Sequence, residues 1–253
     1  MNTRRLVLAL GMFALASASF MASAADHVFS NGASIAINDN TAANPYPSTI
    51  NVTGLSGNIE NVRVTLNGIS HTWVGDLNIV LVAPGGQKIA LMQRVGIAPG
   101  PADCCGYSGD FANANITFSA SAASTIPNLI PIPSGTYLPS IGNSQNNPPA
   151  PAPVGPYSAD MTTLDGAGSA QNGTWQLFVE DGSGGDTGQI AGGWSITIAD
   201  SISCASEGYN ATKMYYCVKV CESGYTGATL DMWIRRWMDR YGNQLPYCAR
   251  EDV

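Results

Sequence analysis

The chain of 253 residues has 45% hydrophobic and only 11% charged side chains, with 18 acidic residues against 11 basic ones. That hydrophobic content is enough to bury a core and excludes a solvated, disordered polymer. The scarcity of Lys and Arg argues against nucleic acid or an anionic membrane surface as partner.

The first 24 residues read as a secretory signal. Arg4 and Arg5 form a basic start, Leu6 to Phe20 is apolar, and Ala22-Ser23-Ala24 is a small-residue cleavage site. A membrane anchor is the competing reading. The apolar run is short, the cleavage site follows at once, and no second long apolar run occurs. Cleavage is expected after Ala24, giving a secreted, periplasmic or cell-surface protein without a transmembrane anchor. His27 then falls in a mobile terminus. Between Ala25 and Ala199 there are three basic residues (Arg63, Lys88, Arg94) and eleven acidic ones, whereas from Asp200 onward there are six and seven. The acidic body is compatible with calcium and equally with a solubilising surface.

From Ser34 short β-like runs alternate with turn residues. Ile35 and Ile37 belong to a first run, and a loop with Pro45 and Pro47 leads to Thr49–Thr53. In the next run Val62, Val64 and Leu66 point one way, and Arg63, Thr65 and Asn67 the other. A turn at Val74-Gly75 precedes Asp76. Then Leu77, Ile79 and Leu81 lead into Pro84-Gly85-Gly86 and return through Ile89 and Leu91, which reads as a hairpin. Gly96 to Gly109 is a loop holding Cys104-Cys105, and a strand is expected at Asn115–Ser119. From Pro139 to Pro156 the chain is too rich in Pro and Asn for regular structure and is expected to lie extended over the surface. Asn172 to Ile198 reads as a closing hairpin. Trp175, Leu177 and Val179 alternate in one strand, Trp194, Ile196 and Ile198 in the other, around a loop bearing Asp181 and Asp186. Short strands with Gly/Pro turns predict an all-β sandwich over residues 25–200.

Two stretches of this body, HTWVGDLNIVLVAPGGQKIAL and NGTWQLFVEDGSGGDTGQIAGGWSITI, resemble the P domain (P/Homo B domain) of kexin- and furin-like proprotein convertases. A Pro- and Gly-rich stretch ending in GPYS is similar to free-standing exported bacterial relatives. The resemblance runs from about Asn31 to Asp200. It implies a jelly-roll-like β-sandwich that packs against and stabilises a subtilisin-type catalytic domain. Some bacterial P domains bind calcium. Relatives carry Asp-Asp where Ser119-Ala120 follows the strand here, which puts any calcium site using that position in doubt. The resemblance also implies a structural, hydrogen-bonding role for Asp76.

A serine triad needs a nucleophile, a His base and an orienting acid. His27 and His71 are the two histidines, and no stretch resembles the subtilisin catalytic signatures. The expectation is a non-catalytic protein, linked to serine endopeptidases by family association alone. Asp76, Asp181 and Asp186 are candidate calcium ligands, with Glu180 and loop carbonyls in support; Asx-type turn caps are the alternative. Trp175 and Trp194 read as core, with Trp73 less buried. The Asn-x-Ser/Thr sequons at Asn51, Asn115, Asn172 and Asn210 read as chance.

Residues 201–253 form a Cys-rich C-terminal region outside the resemblance. All six cysteines, Cys104, Cys105, Cys204, Cys217, Cys221 and Cys248, are expected in disulfides. Pairing is open: the last four allow three combinations, and Cys104-Cys105 either form a vicinal bond or pair elsewhere. One amphipathic helix is expected from an N-cap at Thr229 to Gly242. Leu230, Trp233, Ile234, Trp237, Met238 and Tyr241 form its stripe, and Asp231–Arg235 and Arg235–Asp239 its surface pairs. The helix either packs as a stapled appendage, docks a partner through Trp233, Trp237 and Tyr241, or lies on a membrane surface. The expected role is a secreted binding or stabilising module. An accessory domain for a separate subtilisin-like protease is the first alternative, and a carbohydrate-binding or adhesion module the second.

Overall fold

The computed structural model describes residues 24–55, 57–95, 109–127, 129–142, 147–201, 204–205 and 207–249. The chain divides into two compact units, one spanning Ser23–Tyr209 and the other containing Asn210–Val253.

In the first unit the period-2 runs are strands. They are β1 (Ala24–Asn31), β2 (Ile35–Ile37), β3 (Ser48–Val52), β4 (Asn58–His71), β5 (Leu77–Val82), β6 (Lys88–Gln93) and β7 (Phe111–Ser119). There follow β8 (Gly135–Tyr137), β9 (Ser140–Ile141), β10 (Gly166–Ala167), β11 (Gly173–Asp181), β12 (Gly188–Ile190) and β13 (Trp194–Ser201). Among the described residues they form sheets of eight and five strands. The larger runs β1-β13-β4-β12-β2, with β7 and β10 also on β4 and β8 beside β7; the smaller runs β3-β11-β5-β6-β9. Strand β4, 14 residues long, serves β13 and then β12 along one edge and β7 along the other. Val62, Val64 and Leu66 are buried as their alternation requires. The β5–β6 hairpin forms as expected, closed by Gly86 N–H donating to Ala83 O at 2.9 Å. The expected strand at Asn115–Ser119 is the second half of β7.

The Asn172–Ile198 stretch is not a hairpin. β11 pairs with β3 and β5, whereas β13 pairs with β1 and β4 in the other sheet. The intervening chain arches between the sheets and lays β12 onto β4 on the way. Residues 182–193 are too many for a tight two-residue turn, and both edges of each strand are already taken. The two tryptophans therefore enter one core from opposite sheets. Trp175, Leu177, Val179, Trp194, Ile196 and Ile198 are each at most 1% exposed, and each such side chain contributes roughly 1.5–3 kcal/mol by burial. Each indole N–H has a partner: Trp175 donates to Gln171 O and Trp194 to Ser48 Oγ, both at 3.0 Å.

The chain before Ser34 also departs from expectation. His27 lies within β1, which pairs with β13 over eight residues from Ala24↔Ser201 to Asn31↔Trp194. Two polar side-chain contacts tie this edge strand down. His27 Nε2 meets Asp200 Oδ1 at 2.7 Å, and Arg63 on β4 bonds Asp26.

The proline-rich segment covers the outer face of the smaller sheet. Ala152 and Tyr157 pack with Val80, Ala90 and Phe178 into a second, smaller apolar cluster. Lys88 Nζ donates to Val154 O at 2.7 Å, and Tyr46 Oη to Pro149 O at 2.7 Å. This cover explains why β5 is buried on both faces rather than on alternate residues.

The second unit holds helices α1 (Ala211–Cys221) and α2 (Gly227–Tyr241). Asn210 caps α1, its Oδ1 accepting from Lys213 N at 3.0 Å. α2 begins earlier than expected. Thr226, not Thr229, is its N-cap, because Gly227 and Ala228 are drawn into the first turn. Gly242 ends α2 at φ 68°, with its N–H on Met238 O. The expected Asp231–Arg235 and Arg235–Asp239 pairs do not close within 4.0 Å among the described residues. Cys221 is bonded to Cys248, and Cys204 and Cys217 are also in disulfides. Cys104 and Cys105 lie outside the described residues. Among the described residues no helix is long and apolar enough to cross a membrane.

Candidate functional site

Four strand ends bring the predicted carboxylates around one imidazole. β4 ends at His71, and a 3-10 turn, Val74–Asp76, carries Asp76 to the start of β5. β11 ends at Asp181, in register opposite Leu77. The loop bearing Asp186 leads into β12, where Gly188 pairs with His71. Two glycines permit this closure. A Cβ on Gly188 would lie 2.1 Å from Ser70 O and 2.7 Å from the His71 ring. Gly193, at φ 65°, would place a Cβ 2.0 Å from Asn31 O.

The His71 and Asp181 side chains are fully buried, with Nε2 3.2 Å from Asp181 Oδ2. An ionised carboxylate only accepts, so Nε2 carries a hydrogen. Nδ1 lies 2.9 Å from Trp73 O and 3.2 Å from Trp73 N. It accepts from that N–H as a neutral imidazole or donates to the carbonyl as an imidazolium. Asp181 Oδ1 accepts from Ser183 N at 3.0 Å, an Asx-type turn. Asp186 Oδ1 accepts from Thr72 Oγ1 at 2.6 Å. Asp39 holds the same loop from outside, its Oδ1 accepting from Gly185 N at 2.8 Å.

Asp76 is 5% exposed. Its N–H donates to Trp73 O at 3.2 Å and its carbonyl accepts from Gly182 N at 2.9 Å, joining the two motifs through the backbone. Burial pushes its carboxyl pKa up, the neighbouring charges of Asp181 and Asp186 add to the rise, and Ser183 and His71 oppose it. Glu180 is raised as well, first by burial and then by Asp181, against a hydrogen bond from Asn78.

Asp76, Asp181 and Asp186 thus share one end of the sandwich. Their oxygens are nonetheless spread out: among the described residues, no three side-chain ligand atoms of this cluster lie within 4.8 Å of one another. His71 is the residue the ligand reading missed, although its place in the H-x-W-x-G-D stretch was its signal. As a triad base it is poorly placed, with both ring nitrogens occupied. Among the described residues, neither His27 nor His71 has a hydroxyl or thiol as hydrogen-bond partner.

The other candidates fall differently. Trp73 is half-buried. Trp237 is fully buried, with Nε1 donating to Gln244 O at 2.8 Å. Tyr241 packs 4.9 Å from Trp237, and Trp233 and Tyr241 both meet Tyr216 of α1 edge-on. Three sequon asparagines have structural work: Asn172 bridges both backbone groups of Leu55, Asn115 accepts from Gly68 N, and Asn210 is the α1 cap.

Residues 59–103 match the family model for the proprotein convertase P-domain. The match contains the His71–Leu91 stretch on which the resemblance was first drawn. No curated protein matches the chain. Among solved structures, the serine protease of Aeromonas sobria in complex with its chaperone is similar at 15% identity, over 71% of this chain and 27% of that one, with a TM-score of 0.31. The serine protease of Aeromonas sobria is similar at 14% identity, over 70% and 26%, with a TM-score of 0.30. The chain spans about a quarter of the length of these proteases.

Proposed function

We propose that this protein is an exported, non-catalytic P-domain module that binds and stabilises another extracytoplasmic protein. The supporting observation is the place of the P-domain match. Residues 59–103 contain all but the first residue of β4, the hub of one sheet, and the β5–β6 hairpin of the other. The matched segment is therefore the framework of the sandwich. The partner class that the family favours is a separate serine-type, subtilisin-like protease supported in trans. A pull-down from the native secretome tests this. Recovery of such a protease, with a longer half-life when the two are mixed, is expected. Recovery of none, with no effect on any secreted protease, sinks the reading. Cleavage of a fluorogenic peptide by the purified protein would overturn the non-catalytic part. A mature N-terminus at Ala25, read by sequencing, tests export.

Calcium is a second reading, supported by the raised pKa of Asp76, which burial drives first and the neighbouring charges of Asp181 and Asp186 increase. The residues would have to draw together from their present separation to share an ion. Excess calcium should then raise Tm and chelator lower it. A Tm indifferent to both removes calcium without touching the module reading.

A further inference from the structure

The helical unit carries a cationic, aromatic surface. α2 places Arg236 and Arg240 four residues apart, hence on one flank. The Arg236 guanidinium sits 4.8 Å from the Trp233 ring centre. The Arg240 guanidinium sits 5.4 Å from the Tyr216 ring, with Nη1 donating to Tyr216 Oη at 3.3 Å. Stacking thus positions both groups, yet neither has a carboxylate within 4.0 Å among the described residues. Tyr216, Arg236, Asp239 and Arg240 line an open cleft of about 370 Å³.

We propose that this cleft binds a hexuronate unit of an acidic polysaccharide. The lining selects the ligand by its hydrogen-bond inventory. Two guanidiniums offer only donors, in the fork that matches a carboxylate. Asp239, when ionised, offers only acceptors. The occupant must therefore bring one oxyanion for the arginines and hydroxyl donors for Asp239. Sulfate brings acceptors alone and sets them against Asp239, and phosphate carries its P–OH donors on the oxyanion itself rather than beside it. A neutral sugar leaves the arginines uncompensated. An acidic peptide side chain supplies the carboxylate without hydroxyls beside it. A uronic acid carries both on one ring, and the cleft volume lies at the small end of the range for ligand sites, about 300–1,000 Å³. The tyrosine contributes a hydroxyl that both donates and accepts. This inference rests on the helical unit and is independent of the P-domain reading.

The test is calorimetric titration of the full chain, in chelator so that calcium cannot bridge protein and glycan. The probes are a hexuronate oligomer, a neutral hexose oligomer, poly-glutamate and inorganic phosphate. The hexuronate oligomer is expected to bind most tightly. Arg236→Ala and Arg240→Ala should each weaken it about tenfold. Arg236→Lys should fail to restore it, because lysine keeps the charge and loses the fork. Asp239→Ala should weaken the uronate but not poly-glutamate. Both arginines are exposed, so unchanged helical circular dichroism serves as the folding control. The proposal is overturned if the uronate does not bind, if the neutral oligomer binds equally, or if folded arginine variants bind unchanged. Equal or tighter binding of poly-glutamate overturns it in favour of an acidic polypeptide partner, and of phosphate in favour of a simple anion site.

Discussion

At the scale of single residues, His71 and Asp181 are the most consequential pair in the sandwich. Both side chains are sealed from water, 3.2 Å apart. Removing one partner of such a pair leaves a buried polar atom without its hydrogen bond, at a cost of about 1–3 kcal/mol. His71→Ala should therefore lower the urea midpoint by that equivalent; an unchanged midpoint contradicts the pairing. Asp76 behaves in the opposite sense. Its folded-state pKa is raised, chiefly by burial. The neutral carboxyl is thus favoured in the folded state, and ionisation costs stability above that raised pKa. Below the unfolded-state pKa both states are protonated and the cost disappears. Asp76→Asn should accordingly be more stable than the parent at pH 7, and the gap should close as pH falls through the folded pKa. Paired melting curves across this range decide it, and a gap that does not vary with pH refutes the assignment.

At the scale of elements, the arch from β11 through β12 to β13 depends on two backbone approaches that a side chain would obstruct. Gly188→Ala would force a methyl against Ser70 O and the His71 ring. Both neighbours belong to paired β4, so the strain cannot relax cheaply. A loss of about 1–3 kcal/mol is expected, as for overpacked cores, with β12 losing amide-exchange protection before the other strands. In the helical unit, the Cys221–Cys248 bond closes a loop of 27 residues in sequence separation. A loop of that size is worth about 3–4 kcal/mol on the chain-entropy account. Cys248→Ser should melt the helices early under non-reducing conditions while the strand signal holds. Simultaneous loss of both would show that the disulfide serves the sandwich too.

At the scale of the whole molecule, the division between Tyr209 and Asn210 falls beyond the end of β13. A fragment of residues 25–209 keeps every described strand except for the first residue of β1, and should fold with a cooperative transition of its own. A cut at residue 201 would instead remove the last residue of β13, opposite Ala24. An insoluble 25–209 fragment would show that the helical unit is needed to cover the body. The sequence by itself determined the class of fold, most strand positions, the aromatic core and the set of carboxylates. These are written in local signals: alternation of period two, Gly/Pro turns, and Asp residues flanking glycines. Only the tertiary structure decided that β11 and β13 belong to different sheets, because pairing partners lie far away in the chain and period two is identical in a hairpin and in an arch. For the same reason it alone revealed β1 as a strand. The AADHVFSN segment alternates weakly and becomes a strand through eight pairings with residues some 170 positions later. The buried His71–Asp181 contact, 110 residues apart in sequence, was equally out of reach of local reasoning, since burial of a polar pair is a property of the sheets that close over it.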